Sequence, residues 1–301
     1  MNIPTKLNPL AIDKKTELTF TALQKNSSVK LTTNGSLTLS TIEYNKNNNG
    51  WIPYTINDLI ELTNIGDKVK FRNTTNSLST GTSNYAKFEM TGQINASGNC
   101  MSMLNNVKVC PNLCFANLFN GCSSLITPPE ILCTTLGSSC FYQMFRGCTS
   151  LIRVPRLNAK IATHTCYNIM FYGCTSLTTI PTNLLPATTL NTSCYYGMFH
   201  GCISLTNVCN LPATSLANSC YYSMFENCQS LTTIPTNLLS AAMSLTDSCY
   251  RQMFRECSNL TNVCNLPATT LAPNCYRAMF GGVNGTSIAS LPSNFLPITD
   301  L

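Results

Sequence analysis

Cysteines are the side chains in this sequence with the widest chemical scope. The 301 residues include 18 cysteines, all between Cys100 and Cys275, and most of them come in pairs eight residues apart. Such a set can form disulfides, bind a metal ion, supply a nucleophile or pack as buried thiols. On a helix, eight residues span about 12 Å, whereas a disulfide needs Cα atoms within about 7 Å. The spacing therefore favours buried thiols, with disulfides and a metal site as the alternatives.

A zinc site usually combines a close pair of cysteines with further Cys or His ligands. Cys110 and Cys114 are the one close pair in the chain, and no histidine follows them nearby. We therefore expect no metal site and no cofactor.

The residues needed for acid–base or nucleophilic catalysis are scarce. The chain has two histidines, His164 in a predicted loop and His200 at a position that changes residue in every repeat. The few carboxylates of the repeats form no evident acid/base pair, and a cysteine nucleophile needs a nearby base and partial exposure. We therefore predict no catalytic residues and no enzymatic activity.

The cysteine pairs belong to a phrase that occurs seven times. Its copies are CFANLFNGC, CFYQMFRGC, CYNIMFYGC, CYYGMFHGC, CYYSMFENC, CYRQMFREC and CYRAMFGGV, starting at residues 114, 140, 166, 194, 220, 249 and 275. The steps are 26 to 29 residues, a period typical of a solenoid in which each repeat buries its apolar face only against its neighbours.

Each repeat predicts one helix and one short strand. In the fourth phrase, Cys194, Tyr195, Met198, Phe199 and Cys202 would form one apolar stripe on a two-turn helix. The following stretch, SLTNV or SLTTI, is rich in Thr and β-branched residues and predicts a strand. LPATTL would then turn the chain back, and the Ser or Asn before the next phrase would cap its helix.

This pattern resembles the BspA-like leucine-rich repeat over about residues 110–295. The residues that carry the resemblance are the strand ending in Pro, the Met-Phe-x-x-Cys core and the Ser-Leu that follows it. The variant with LPATTL and CYYGMF resembles repeat proteins encoded by gut Bacteroidales and by their phages. The resemblance implies a leucine-rich-repeat solenoid and a role in adhesion or display.

The N-terminal third differs from the repeats in composition, since its first 95 residues contain no cysteine. Short β-type segments with turns at NNNGW, IGDK and TGTSN predict a small antiparallel β-sandwich. The predicted organisation is an arm at 1–15, the sandwich at 16–95, a junction and cap at 96–113, and the solenoid with a C-terminal cap at 114–301. The fold class expected from the sequence is therefore α+β.

Two positions of the phrase change from copy to copy while its core stays constant: the second residue after the first Cys, and the residue after Phe. Tyr and Arg, which recur there, are enriched in recognition surfaces. We take nine of these residues as a candidate surface for glycan or protein, with ordinary solvated surface as the alternative. They are Tyr142, Arg146, Tyr172, Tyr196, His200, Tyr222, Arg251, Arg255 and Arg277.

Composition narrows the class of protein. Charged residues are only 10% and the net charge is +6, with no dense basic patch, so we expect no binding to nucleic acid. No apolar run approaches the about 18 residues of a membrane helix, and the start lacks the apolar core of a secretory signal, so we expect neither membrane insertion nor export by the general pathway.

These expectations together indicate a non-enzymatic structural or display protein of a gut phage virion, such as a fibre or decoration component. Its N-terminal region, with 11 of the 18 Lys and Arg residues, would attach to other virion proteins. Its solenoid would face host-surface glycan or protein, and homo-oligomers are compatible with this arrangement. The alternative is a BspA-like adhesin on a bacterial cell surface.

Overall fold

The computed structural model describes residues 16–75 and 78–283. The arm predicted at 1–15 and the C-terminal cap lie outside these residues. The strands are β1 Leu18–Ala22, β2 Ser27–Thr33, β3 Ile42–Lys46, β4 Ile52–Pro53, β5 Ile60–Leu62, β6 Lys68–Asn73, β7 Ala86–Thr91, β8 Ile94–Ser97, β9 Val109–Cys110, β10 Leu125–Thr127, β11 Thr135–Leu136, β12 Ile161–Ala162 and β13 Thr189–Leu190.

The N-terminal strands form two sheets. One has the order β10-β8-β1-β6-β3-β4 and the other the order β5-β2-β7, and every pairing among β1 to β8 is antiparallel. Inward-facing residues alternate with outward-facing ones along β1 and β6, as expected for sheets that are buried on one face. Phe20, Phe71 and Phe88 meet edge to face between the sheets, with ring centroids 4.8 to 5.9 Å apart.

The prediction of one helix per repeat is wrong, and with it the α+β class. Among the described residues the one helix is a short 3-10 helix at Cys100–Leu104, and the seven phrases fold as runs of tight turns beside several small sheets. At Ser193, just before the fourth phrase, and at Gly197 and Gly201 within it, φ is positive, with values of 54°, 54° and 72°. A left-handed residue at every fourth position is incompatible with a right-handed helix.

Hydrogen bonding confirms that the phrase is not helical. The N–H groups of Tyr195 and Gly197 donate to the carbonyls of Cys220 and Tyr222 in the next repeat, at 2.9 and 2.8 Å. The N–H groups that alternate with these close turns within the phrase. For example, the N–H of Met198 donates to the carbonyl of Tyr195 at 3.2 Å. Four of the nine backbone N–H groups of the phrase thus donate to the next repeat, and neighbouring repeats therefore stack in register.

The apolar pattern predicted correctly which residues of the phrase are buried, but it did not predict their backbone conformation. Cys194, Tyr195, Met198, Phe199 and Cys202 are each at most 1% exposed. Turns that repeat every four residues bury the same adjacent pairs of positions as a short helix would. The pattern alone therefore does not distinguish the two conformations.

The predicted strand after each phrase is also misplaced. Among the copies that the structure describes, the first alone forms one, at β10. The other short strands, β11 to β13, lie just before a phrase, in the stretch expected to turn. The Ser before the phrase is no helix cap, because Ser193 is the first left-handed residue of the run of turns.

Two columns of aromatic rings run through the stacked repeats. The Phe rings from Phe88 through Phe119 to Phe280 lie face to face, with neighbouring centroids 5.2 to 5.7 Å apart. A second column runs from Phe115 to Tyr276, with spacings of 5.4 to 5.9 Å. Parallel rings at this spacing are the offset-stacked arrangement that aromatic pairs favour.

The N-terminal sheets and the repeats share one core. Strand β10 of the first repeat pairs in parallel with β8, and the ring of Phe119 stacks on Phe88 of β7 at 5.5 Å. The N–H of Phe88 also donates to the carbonyl of Leu118 at 2.8 Å. The first repeat therefore builds directly on the edge of the N-terminal sheets.

Within the described residues, no helix has both the length and the apolar character needed to span a bilayer.

Candidate binding surface

The run of turns determines which side chains reach the surface. Positions two and six after the first Cys of each phrase lie between the buried pairs, and stacking in register aligns equivalent positions into two rows. Apart from Ala116 and Glu226, which are buried, the residues at these positions are at least partly exposed. The first row is Ala116, Tyr142, Asn168, Tyr196, Tyr222, Arg251 and Arg277. The second row is Asn120, Arg146, Tyr172, His200, Glu226, Arg255 and Gly281.

The second row is a continuous chain of contacts over five repeats. The guanidinium of Arg146 lies 5.3 Å from the ring centre of Tyr172, which stacks on His200 at 4.6 Å. His200 Nδ1 lies 3.6 Å from Glu226 Oε2, and Arg255 Nη1 donates to Glu226 Oε1 at 3.2 Å. Each residue thus contacts the equivalent residue of the adjacent repeat.

The first row is continuous over fewer repeats. Tyr196 stacks on Tyr222 at 4.8 Å, and the guanidinium of Arg251 lies 5.2 Å from the Tyr222 ring centre. Arg277 instead bonds to Asn274 of its own repeat, at 3.5 Å. Tyr142 accepts a hydrogen bond from the Gln143 amide at 2.8 Å, and Ala116 and Asn168 are too short to extend the row.

Glu226 is the residue of this surface that the sequence-based selection missed. Its side chain is only 10% exposed, and it contacts both His200 and Arg255. The sequence did contain a signal for including Glu226, because this residue follows the Phe of its phrase, one of the two variable positions. Selection for Tyr, Arg and His excluded it, although a carboxylate is the natural partner of an Arg in the next repeat.

Burial and neighbouring charges shift the pKa values of two residues at the centre of this surface, His200 and Tyr196. Burial lowers the pKa of His200; the Glu226 carboxylate opposes this shift and the Arg255 charge adds to it. The imidazole is therefore uncharged at neutral pH, so its contact with Glu226 is not an ion pair there. Burial, followed by the neighbouring Tyr222, raises the pKa of the Tyr196 phenol.

Replacing Glu226 with Gln should lower the pKa of His200 further, because the carboxylate is what holds it up against burial and Arg255. Since the chain has two histidines, NMR titration of their ring protons in the wild type and the variant can measure this. Glu256→Gln is the matched control, since Glu256 contacts Arg255 but not His200. A His200 pKa that rises in Glu226→Gln would contradict the assigned geometry.

The thiols pack inside the stack, and each of the 18 is free and buried. The second Cys of a phrase points its S–H at the Phe carbonyl of the preceding repeat, as Cys202 does with Phe171 at 3.2 Å and Cys228 with Phe199 at 3.3 Å. Cys122 makes the same bond to Phe88 of β7 at 3.0 Å. These cysteines therefore fill space and also satisfy a carbonyl that points into the core.

Nucleophilic chemistry is disfavoured at these thiols. Burial raises the pKa of Cys202 and of Cys209 to about 12, so neither is a thiolate at neutral pH. In the part of the chain that the structure describes, no group of His, Cys, Asp or Glu is arranged to hold a metal ion. The two rows remain the best-defined candidate site.

Comparison with known proteins finds no matching family model, no similar curated protein and no similar solved structure.

Proposed function

We propose that this chain is a non-enzymatic display protein of a gut phage virion, which attaches through its N-terminal region and contacts host-surface glycan or protein through the two rows. The observation that carries the proposal is the contrast between a core copied from repeat to repeat and an exposed surface that changes in every copy. Nothing in the stacked core requires Tyr172, His200 or Arg251 at their positions, so a partner is the best reason for their types.

The chemistry of the rows favours a polar partner. Tyr172 and His200 stack on each other, as do Tyr196 and Tyr222, so part of each ring face is already covered. What the rows offer outward is ring edges, phenol hydroxyls and guanidinium groups, which bind hydroxyls, amides and carboxylates. The setting in a virion rests on the sequence resemblance, even though the helix that it implies is absent.

The N-terminal region supports attachment by its charge, since 11 of the 18 Lys and Arg residues precede residue 111. It also exposes large apolar side chains, including Leu59 at 57% and Ile65 at 63%. A region that has both exposed apolar side chains and an excess of basic residues suits docking onto a larger assembly.

Variants of the full chain test the proposal in assembled particles. Tyr172→Ala, Tyr196→Ala and Tyr222→Ala together should leave incorporation intact and reduce adsorption to host cells about tenfold or more, since aromatic anchors dominate many interfaces. The matched control is Thr179→Ala, Thr182→Ala and Thr233→Ala, which changes exposed linker residues. Particles that adsorb normally without the three Tyr rings would overturn the role given to the rows.

A further inference from the structure

One linker between phrases differs from all the others in charge. Residues 149–165 contain Arg153, Arg156 and Lys160, whereas the other linkers between the first and last phrases contain no Lys or Arg. All three side chains are exposed, and within the described residues none of them forms an ion pair with a carboxylate. These cations therefore have no internal structural partner that accounts for them.

The same linker borders an opening in the stack. Strand β11 pairs with β9, and β12 pairs with β13, but no strand pairing joins β11 to β12. The interruption leaves a cleft of about 490 Å³. Its lining residues are Thr134, Thr135, Leu136, Asn158, Lys160, Ile161 and Thr163.

The cleft is closed at one end. Thr163 Oγ1 donates to the carbonyl of Gly137 at 2.9 Å, and the N–H of Ser139 donates to the carbonyl of His164 at 2.9 Å. Only three residues of one wall, 134–136, therefore face the opening. That length is too short for an extended peptide, which binds along a continuous strand edge.

The lining has the mixed character that a sugar ring requires. Lys160 supplies a cation and Asn158 an amide, while Thr135 supplies a hydroxyl. Leu136 lines the apolar side together with Ile161, which is 57% exposed. A pyranose has hydroxyls at its rim and C–H groups on its faces, so it can use both kinds of contact.

From these observations we infer that the cleft binds one residue of an acidic polysaccharide, with the sugar carboxylate on Lys160. Along the linker, Arg156, Asn158 and Lys160 are exposed while Leu157 and Ala159 between them are buried. The exposed side chains alternate with buried ones, so Arg156 lies on the same exposed side of the linker as Lys160. Arg156 is placed to meet a carboxylate of the next sugar. The inference uses residues outside the two rows, so it is independent of the proposed function.

Calorimetry with the full chain tests the inference, using a short oligogalacturonate as the probe and a neutral oligogalactose of equal length for comparison. The acidic oligosaccharide should bind and the neutral one should bind much more weakly. Lys160→Gln should weaken binding about tenfold, the loss expected for one charge-assisted hydrogen bond. Lys25→Gln, at an exposed lysine in an N-terminal turn, should leave binding unchanged.

Two results would overturn the inference. One is oligogalacturonate binding that is absent, or equal in the wild type and Lys160→Gln. The other is a polyglutamate of matched charge binding as tightly as the oligosaccharide, which would assign the cleft to acidic peptides or to charge alone. Asn158→Ala distinguishes recognition of the sugar from attraction to charge alone. The variant should bind the oligosaccharide more weakly than the wild type and should bind polyglutamate equally well.

Discussion

Raising the pH from about 8 to about 10.5 should unfold the protein cooperatively, because the folded state keeps its thiols protonated and the unfolded state does not. Burial raises the pKa of eight cysteines from 9.0 to about 12. They are Cys122, Cys166, Cys202, Cys209, Cys220, Cys249, Cys257 and Cys264. Their contribution to stability is complete below pH 9 and is lost as the pH rises toward 12.

The size of the effect follows from proton linkage. Relative to neutral pH, each of these thiols lowers the free energy of unfolding at pH 10 by about 1.4 kcal/mol, because it ionises in the unfolded state only. The eight together lower the free energy of unfolding by about 11 kcal/mol. That is comparable with the total stability of a typical domain, about 5–15 kcal/mol. Circular dichroism against pH, with reductant present, measures the transition.

Thiol counting is the control for this experiment. Alkylation should add 18 groups in denaturant at neutral pH and few or none in the folded protein, since all the thiols are free and buried. A protein that keeps its structure to pH 11, or whose thiols absorb as thiolates near pH 9 while it stays folded, would contradict a buried thiol core.

Phe199→Ala should destabilise the stack by about 3–5 kcal/mol, the usual cost of removing a buried Phe ring. Phe199 is fully buried and stacks on Phe171 at 5.5 Å and on Phe225 at 5.6 Å. Because each repeat contacts mainly its neighbours, the damage should appear as local opening around residues 170–230. Urea unfolding measures the free energy, and hydrogen exchange locates the opening.

Ile203→Ala is the matched control for this variant. Ile203 follows the same phrase but is 39% exposed, so its loss should change stability by no more than about 0.5 kcal/mol. Hydrogen exchange that accelerates uniformly along the whole array in Phe199→Ala would argue against a stack held by contacts between neighbouring repeats.

The sequence predicted the period of the repeats and the buried positions of the phrase, because those depend on the spacing of apolar side chains. It did not predict the conformation of the phrase, because a period of four is close to the 3.6 residues of a helical turn. A signal was present in Gly121, Gly147, Gly173 and Gly201. Each of these glycines has a positive φ of 69° to 76° inside a run of turns, a conformation that glycine adopts without steric strain.

Other left-handed positions carry no such signal. Ile169 and Gln143 have φ of 45° and 55°, which costs a residue with a Cβ roughly 1–2 kcal/mol. Backbone bonds to the next repeat offset this cost, as between the N–H of Ile169 and the carbonyl of Tyr196 at 2.8 Å. Contacts between repeats therefore override local preference, and they cannot be deduced from one phrase.

The candidate surface was partly predictable for the same reason. Positions that vary while their neighbours are constant could be identified by aligning the copies, and they did form two rows. The partners within a row required the stacking register, which brings Glu226 between His200 and Arg255. The cleft beside Lys160 was not predictable, because it arises from a strand pairing that fails to form.

Site-specific photo-crosslinking tests whether the two rows face the partner while the N-terminal sheets face the assembly. A benzophenone side chain would replace Tyr196, Leu59 or Thr233 in the full chain within intact particles mixed with host cells. We expect host-surface products from position 196, virion-protein products from position 59, and neither from position 233. Virion proteins crosslinked at position 196, with host products at position 59, would contradict this arrangement.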